Sequence, residues 1–122
     1  MNLKRKKQNY IEIWGDGSAS REFLYVEDAA KGIVLAAEKY NKNDPINLGN
    51  GKEIKIKDLV ELICKLMNFS GEIKWDKTRP NGQPRRCLDV SRAKKEFGFV
   101  AKTNFNEGLK ETIKWYEKIC LH

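Results

Sequence analysis

Histidine is almost missing from these 122 residues: the one present is His122, the last. Metal centres and proton-transfer triads built on histidine are therefore close to excluded. The three cysteines, Cys64, Cys87 and Cys120, are odd in number and widely separated. They match no ligand pair such as C-x-x-C and read as reduced thiols of a cytosolic chain, with no metal. No apolar run approaches the roughly 20 residues that span a bilayer. The opening Met1-Asn2-Leu3-Lys4-Arg5-Lys6-Lys7 also lacks the apolar stretch of a secretory signal. The expectation is a soluble, cytoplasmic protein that does not engage a membrane.

Two further absences bear on redox chemistry. A dinucleotide-binding turn needs glycines spaced so that the backbone approaches a pyrophosphate at a helix amino terminus. The nearest candidates, Gly15-Asp16-Gly17 and Gly49-Asn50-Gly51, lack the third glycine, and a bare G-x-G reads as a plain turn. A tyrosine with a lysine four residues on, the proton-transfer pair of many nicotinamide enzymes, is missing at each of Tyr10, Tyr25, Tyr40 and Tyr116. The chain is expected to bind no cofactor by itself and to carry no catalytic residue.

What is present is enough for one modest core, with 40% hydrophobic residues. The surplus of 24 Lys+Arg over 17 Asp+Glu, a net charge of +7, would draw the protein toward phosphates. Tyr10-Ile11-Glu12-Ile13-Trp14 alternates as a strand does, and Gly15-Asp16-Gly17-Ser18 turns the chain into a second extended segment, Arg21 to Val26. Ala29, Ala30, Ile33, Val34, Ala37 and Tyr40 recur with helical spacing, and Asp28 stands where a cap would. Ile46-Asn47-Leu48 reads as a short strand. Ile56, Leu59, Val60, Ile63, Leu66 and Met67 trace a second helix, with Lys55 as a poor cap. Ile73-Lys74-Trp75 reads as a strand, a short helix runs from Ser91 to Gly98, and Asn104 with Glu107 caps a last helix whose Phe105, Leu109, Ile113, Tyr116 and Cys120 share a face. Alternating strands and about four helices make the fold α/β, or α+β if the chain stands by itself.

The run from Trp14 to Ala30, with Trp14, Gly15, Gly17, Arg21, Glu22, Phe23, Val26, Asp28 and Ala30 in register, resembles the W-G-x-G-x-x-x-R-E-F-x-x-V-x-D-x-A signature of extended short-chain dehydrogenase/reductases. Ile46-Asn47-Leu48-Gly49-Asn50-Gly51 is similar to their I-N-x-G-x-G strand and turn. The segment from Pro80 to Arg92 resembles the K-P-D-G-x-P-R-K-x-L-D-x-x-R segment of the GDP-L-fucose synthase branch. Arg86 replaces the branch's usual lysine, and Tyr25 stands where histidine is frequent. The three motifs keep the family's order and span the chain from Tyr10 to Lys118.

The resemblance implies a carboxy-terminal, substrate-binding portion over residues 10–122, preceded by a basic lead-in over residues 1–9, with the amino-terminal Rossmann-type half absent. It implies a GDP-sugar ligand, and NADP(H) held elsewhere in a complete enzyme that epimerises and reduces a 4-keto sugar. It assigns Arg21 and Arg86 to the substrate diphosphate, which suits a guanidinium's paired donors. For Arg21 the alternative is a salt bridge to Glu22 or Asp28. Trp14 corresponds to a pocket tryptophan, although a strand tryptophan also serves as core. Arg79 and Arg85, neighbours of Arg86 on a proline-braced loop, are further substrate-binding candidates, with solvated arginines as the alternative. Trp75 and Trp115 read as core.

Lys4-Arg5-Lys6-Lys7 reads as a solvated tail, and no motif points to nucleic acid. In the family the helix near 28–39 and the 46–48 strand pack onto the cofactor-binding sheet. Ile33, Val34, Ala37, Ile46 and Leu48 are thus expected to lack cover and to favour self-association or pairing with the missing half. Two rival readings are a portion of a UDP- or dTDP-sugar epimerase or dehydratase, and a non-catalytic interaction module.

Overall fold

The computed structural model describes residues 9–120; the basic run at 4–7 and His122 lie outside them. The described chain forms two compact units. One holds the residues up to Arg21 together with Ile54–Arg85, and the other Glu22–Glu53 together with the residues from Arg86 onward.

In the first unit, β1 (Tyr10–Trp14) pairs in parallel with β4 (Glu72–Asp76), in a register that sets Ile11 beside Ile73 and Trp14 beside Asp76. Side chains alternate across a strand. Ile11, Ile13, Ile73 and Trp75 therefore share one face, while Tyr10, Glu12, Trp14, Glu72, Lys74 and Asp76 share the other. Ile11 is buried, and on the polar face the Lys74 ammonium lies 4.1 Å from the centre of the Tyr10 ring. β1 continues through a glycine turn into β2 (Ser20–Glu22) without pairing to it; β2 instead joins the sheet ordered β3-β2-β5, with β3 at Glu53–Lys55 and β5 at Arg85–Arg86. Each of these three strands contains a point where the chain passes from one unit into the other.

Helix α2 (Ile56–Leu66) starts at Lys55 with no side-chain cap, as its sequence implies. Its first donors are satisfied by main chain: Ile56 N–H donates to Ala19 O at 2.9 Å and Lys57 N–H to Gly17 O at 3.0 Å. The turn after β1 thus takes the place of the missing cap. Cys64, on the inner side of this helix, is buried, and burial pushes its thiol above the ordinary cysteine range.

The second unit is built on helices α1 (Val26–Lys39), α3 (Ser91–Phe97) and α4 (Phe105–Cys120). Ala93, Phe97 and Phe99 form its core, packed by Leu24, Leu35, Ala36, Tyr40, Ile46 and Leu48. The Tyr40 and Phe97 rings meet at 5.7 Å. The half-buried face of α4 is the one its periodicity marks, and Asn104 caps it by accepting from Asn106 N–H at 2.9 Å.

Three readings of the sequence change here. Asp28 is not a cap: α1 begins at Val26, and Asp28, buried in the first turn, accepts instead from Thr103 N–H at 3.1 Å. The segment 46–48 is extended chain without strand pairing; Ile46 and Leu48 are used to cover the core. Trp115 is no core residue, being 59% exposed, whereas Trp75 is half-buried. On α1, Ile33, Val34 and Ala37 lack cover as expected and Ala30 joins them on the outer side, while Gly32 is buried and Leu35 and Ala36 pack on the core. Both faces of this helix carry apolar residues, and its periodicity marks the outer one more strongly. No helix among the described residues is long and apolar enough to cross a membrane.

Candidate functional site

Unit one concentrates four of the five arginine and tryptophan candidates. Trp14 closes β1 on its polar face and is 64% exposed, which removes the core alternative. The next residue, Gly15, donates its N–H to Asp76 O at 2.9 Å and so ends the ladder, after which the chain turns. Asp16 holds that turn: its Oδ1 accepts from Ser18 N–H at 2.9 Å and from the Ser18 hydroxyl at 2.6 Å. Those bonds, the hydroxyl's first, favour the ionised form and lower the Asp16 carboxyl below its usual range. Across the polar face, Asp76 Oδ1 accepts from Thr78 N–H at 3.0 Å, starting the loop 77–84. The Arg79 guanidinium then lies 5.0 Å from the centre of the Trp14 ring, its Nε 3.6 Å from Asp76 Oδ2. A cation over an exposed ring contributes about 0.5–1 kcal/mol, enough to align the pair.

Arg21, half-buried on β2, is not a salt-bridge residue. Its Nη1 donates to two main-chain carbonyls, Ser20 O and Gln83 O, both at 2.7 Å. The carboxylates offered by the sequence as partners have other duties: Asp28 holds Thr103, and Glu22 accepts from Asn50, Gly51 and Leu88 N–H at 3.1, 2.7 and 2.7 Å. Carbonyl oxygens orient a guanidinium without neutralising it. Arg85 and Arg86 are exposed on β5. Arg85 belongs with Arg21 and Arg79 in the first unit, whereas Arg86 is the first residue of the second unit's closing segment.

Three residues that make these bonds were not singled out as site residues by the motifs that contain them. Asn81 accepts from Asp16 N–H at 2.8 Å, Gln83 supplies the carbonyl under Arg21, and Glu22 closes the Gly49-Asn50-Gly51 turn. Asn81 and Gly82 spell ordinary turn chemistry, and a carbonyl has no sequence signal at all. Glu22 alone was detectable, as an acidic residue inside the first motif.

Both glycine turns are filled from within the chain. The Gly49-Asn50-Gly51 donors that would face a pyrophosphate point at the Glu22 carboxylate, and a Cβ on Gly49 would meet its oxygens at 3.0 Å. Space beside Gly17 is taken by Lys57 Cβ and the Trp75 ring, each 2.7 Å from a would-be Cβ. Neither turn is shaped to cradle a cofactor phosphate. Among the described residues no three of His, Cys, Asp and Glu gather as a metal would require.

Residues 1–112 match the family model described as GDP-mannose 4,6 dehydratase. The chain is 40% identical over 106 residues to the probable GDP-L-fucose synthase 1 of Oryza sativa subsp. japonica, an alignment covering 87% of this chain and 32% of that protein. The solved GDP-L-fucose synthetase of Naegleria fowleri bound to NADP superposes with a TM-score of 0.83 at 25% identity, over 89% of this chain and 35% of that one. The UDP-glucose 4-epimerase of Thermotoga maritima, solved with UDP-glucose, gives a TM-score of 0.83 at 29% identity, over 93% of this chain and 36% of that one. The chain spans about a third of the length of the curated relatives it matches. With motifs, fold and relatives in agreement, the chain belongs to the NAD-dependent epimerase/dehydratase family of extended short-chain dehydrogenase/reductases, among whose members the GDP-L-fucose synthases are its relatives.

Proposed function

We propose that the chain is the nucleotide-sugar-binding, carboxy-terminal portion of a cytoplasmic epimerase/reductase of the GDP-L-fucose synthase kind, with no redox activity of its own. The observation that carries this reading is the setting of Arg21. Its guanidinium is held on one nitrogen by two carbonyls and stays charged, in the same unit as the exposed Trp14–Arg79 stack. A charged fork and an aromatic face are what a nucleoside diphosphate-sugar calls for. Arg86 is kept as a phosphate-contact candidate on the resemblance of the Pro80-to-Arg92 segment alone, with Arg85 and Arg79 as secondary candidates. NADP(H) is read as held by another part of a complete enzyme, a reading the occupied glycine turns support.

Ligand-observed NMR or calorimetry with a GDP-sugar tests the reading. Arg21→Ala and Arg86→Ala are each expected to cost about 1.5–3 kcal/mol of binding, as loss of a charged hydrogen bond does. Unchanged affinity in both would remove them from the site. NADPH fluorescence is expected to stay flat on titration, and a saturable change would relocate the cofactor. A UDP-sugar ligand is the second reading, suggested by the UDP-glucose held by the Thermotoga maritima neighbour. The Pro80-to-Arg86 segment speaks for GDP, and competition between GDP and UDP decides between them.

A further inference from the structure

The first and third motifs, more than 60 residues apart in sequence, interlock in space. Gly15 has φ +88°, and a Cβ built on it would collide with Asn81 Oδ1. That oxygen occupies the room glycine leaves and accepts from Asp16 N–H at 2.8 Å. Two residues further along the same loop, Gln83 O holds Arg21 Nη1 at 2.7 Å, and Pro84 O accepts from Ser20 N–H at 2.9 Å. Between these anchors sits Gly82, at φ +75°, whose would-be Cβ lies 3.5 Å from Arg21 Nη2. The second half of the loop 77–84 is thus fastened to the β1–β2 turn by the Asn81 side chain and to β2 by main chain at Gln83 and Pro84, with Gln83 O holding Arg21.

We propose that Asn81 is a positioning residue for the Arg21 anion site: seated over Gly15, it holds the loop so that Gln83 O fixes Nη1 and the side-chain-free backbone of Gly82 leaves Nη2 open to a diphosphate. This rests on the reading of Arg21 as a phosphate contact. Asn81 does not touch the ligand; it acts through the loop and Arg21. Gly82 contributes by bearing no side chain, since a methyl there would sit in van der Waals contact with the nitrogen that has to reach the phosphate. The pairing also explains why asparagine, and not only any turn former, suits position 81: it needs an acceptor on a short side chain that can enter the space over Gly15.

The test is a double-mutant cycle read by 31P NMR titration of GDP into the 122-residue chain. Arg21→Ala is expected to weaken GDP binding about 10- to 100-fold and Asn81→Ala about fivefold, the ranges for charged and neutral hydrogen bonds. Arg21→Ala/Asn81→Ala should bind no more weakly than Arg21→Ala. Gly15→Ala, which evicts the Asn81 oxygen from the other side, should reproduce the Asn81→Ala loss. A spectroscopic readout separates positioning from general loosening: the Nη hydrogens of Arg21, distinct while Nη1 is held, should merge into one averaged signal in Asn81→Ala. Full affinity in Asn81→Ala, a loss that adds to that of Arg21→Ala, or unaveraged Nη signals would each overturn the proposal while leaving Arg21 in the site. Unchanged GDP binding in Arg21→Ala would overturn the site reading itself, and the positioning role with it.

Discussion

Phe97 and Phe99 close the second unit around an apolar core, with Leu24, Leu35, Ile46 and Leu48 packed on them; the loop 77–84 of the first unit is held by hydrogen bonds to backbone and by one asparagine over one glycine. Adjacent residues mark the contrast. Arg21 is oriented by carbonyls and keeps an unneutralised charge, whereas the Glu22 carboxylate next to it is consumed by three backbone donors. Apolar burial supplies most of the free energy of a fold but no direction. Hydrogen bonds add little net stability and fix geometry. The second unit is therefore expected to carry the stability and the first to carry the binding geometry.

The hardest test of that division is Phe97→Ala, which should cost about 3–5 kcal/mol, the usual range for emptying a buried aromatic site, as measured by chemical denaturation. A loss near zero would move the stability elsewhere. Gly17→Ala is expected to cost less, about 1–3 kcal/mol, because its methyl would press on Lys57 Cβ and the Trp75 ring at 2.7 Å. It should also unsettle the start of α2, whose Lys57 N–H bonds Gly17 O, visible as faster amide exchange at Ile56 and Lys57. Smaller again is Trp14→Ala, expected to change stability by no more than about 1 kcal/mol while weakening GDP-sugar binding; an equal loss of both would make Trp14 structural after all.

Ile33→Glu should change stability least, since Ile33 is 62% exposed and exposed positions tolerate substitution within about 0.5 kcal/mol. Its effect should appear in association. The outward row Ala30, Ile33, Val34 and Ala37 is an apolar stripe of the kind that chains cover by pairing. Sedimentation at several concentrations and binding of a hydrophobic dye should both fall in the variant. A wild-type chain that stays monomeric and binds no dye would show that the stripe needs no cover.

Much of the architecture was legible along the chain because it is local. The 2-residue and 3.6-residue repeats marked β1, β4, α1, α2 and α4, and Gly98 and Asn104 marked where α3 stops and α4 begins. Periodicity left two candidate inner faces on α1, a helix apolar on two sides, and Phe99 against Gly32 decides which is covered. It also placed a strand at 46–48, where the apolar residues serve a core instead of a sheet.

The candidate site divides along the same line. Charge, residue type and order were determined by the sequence: the arginines at 21, 85 and 86 and the tryptophan at 14 stand inside recognisable motifs, with Arg79 just before the third. The surroundings of Arg21 and Arg79 were decided only by tertiary structure, because they depend on which oxygens and rings come close to a guanidinium, and those belong to segments distant in sequence. Gln83 O under Arg21 and Asn81 Oδ1 over Gly15 have no trace in composition or spacing, since one is a carbonyl that every residue carries and the other fits a space defined by an atom glycine does not have.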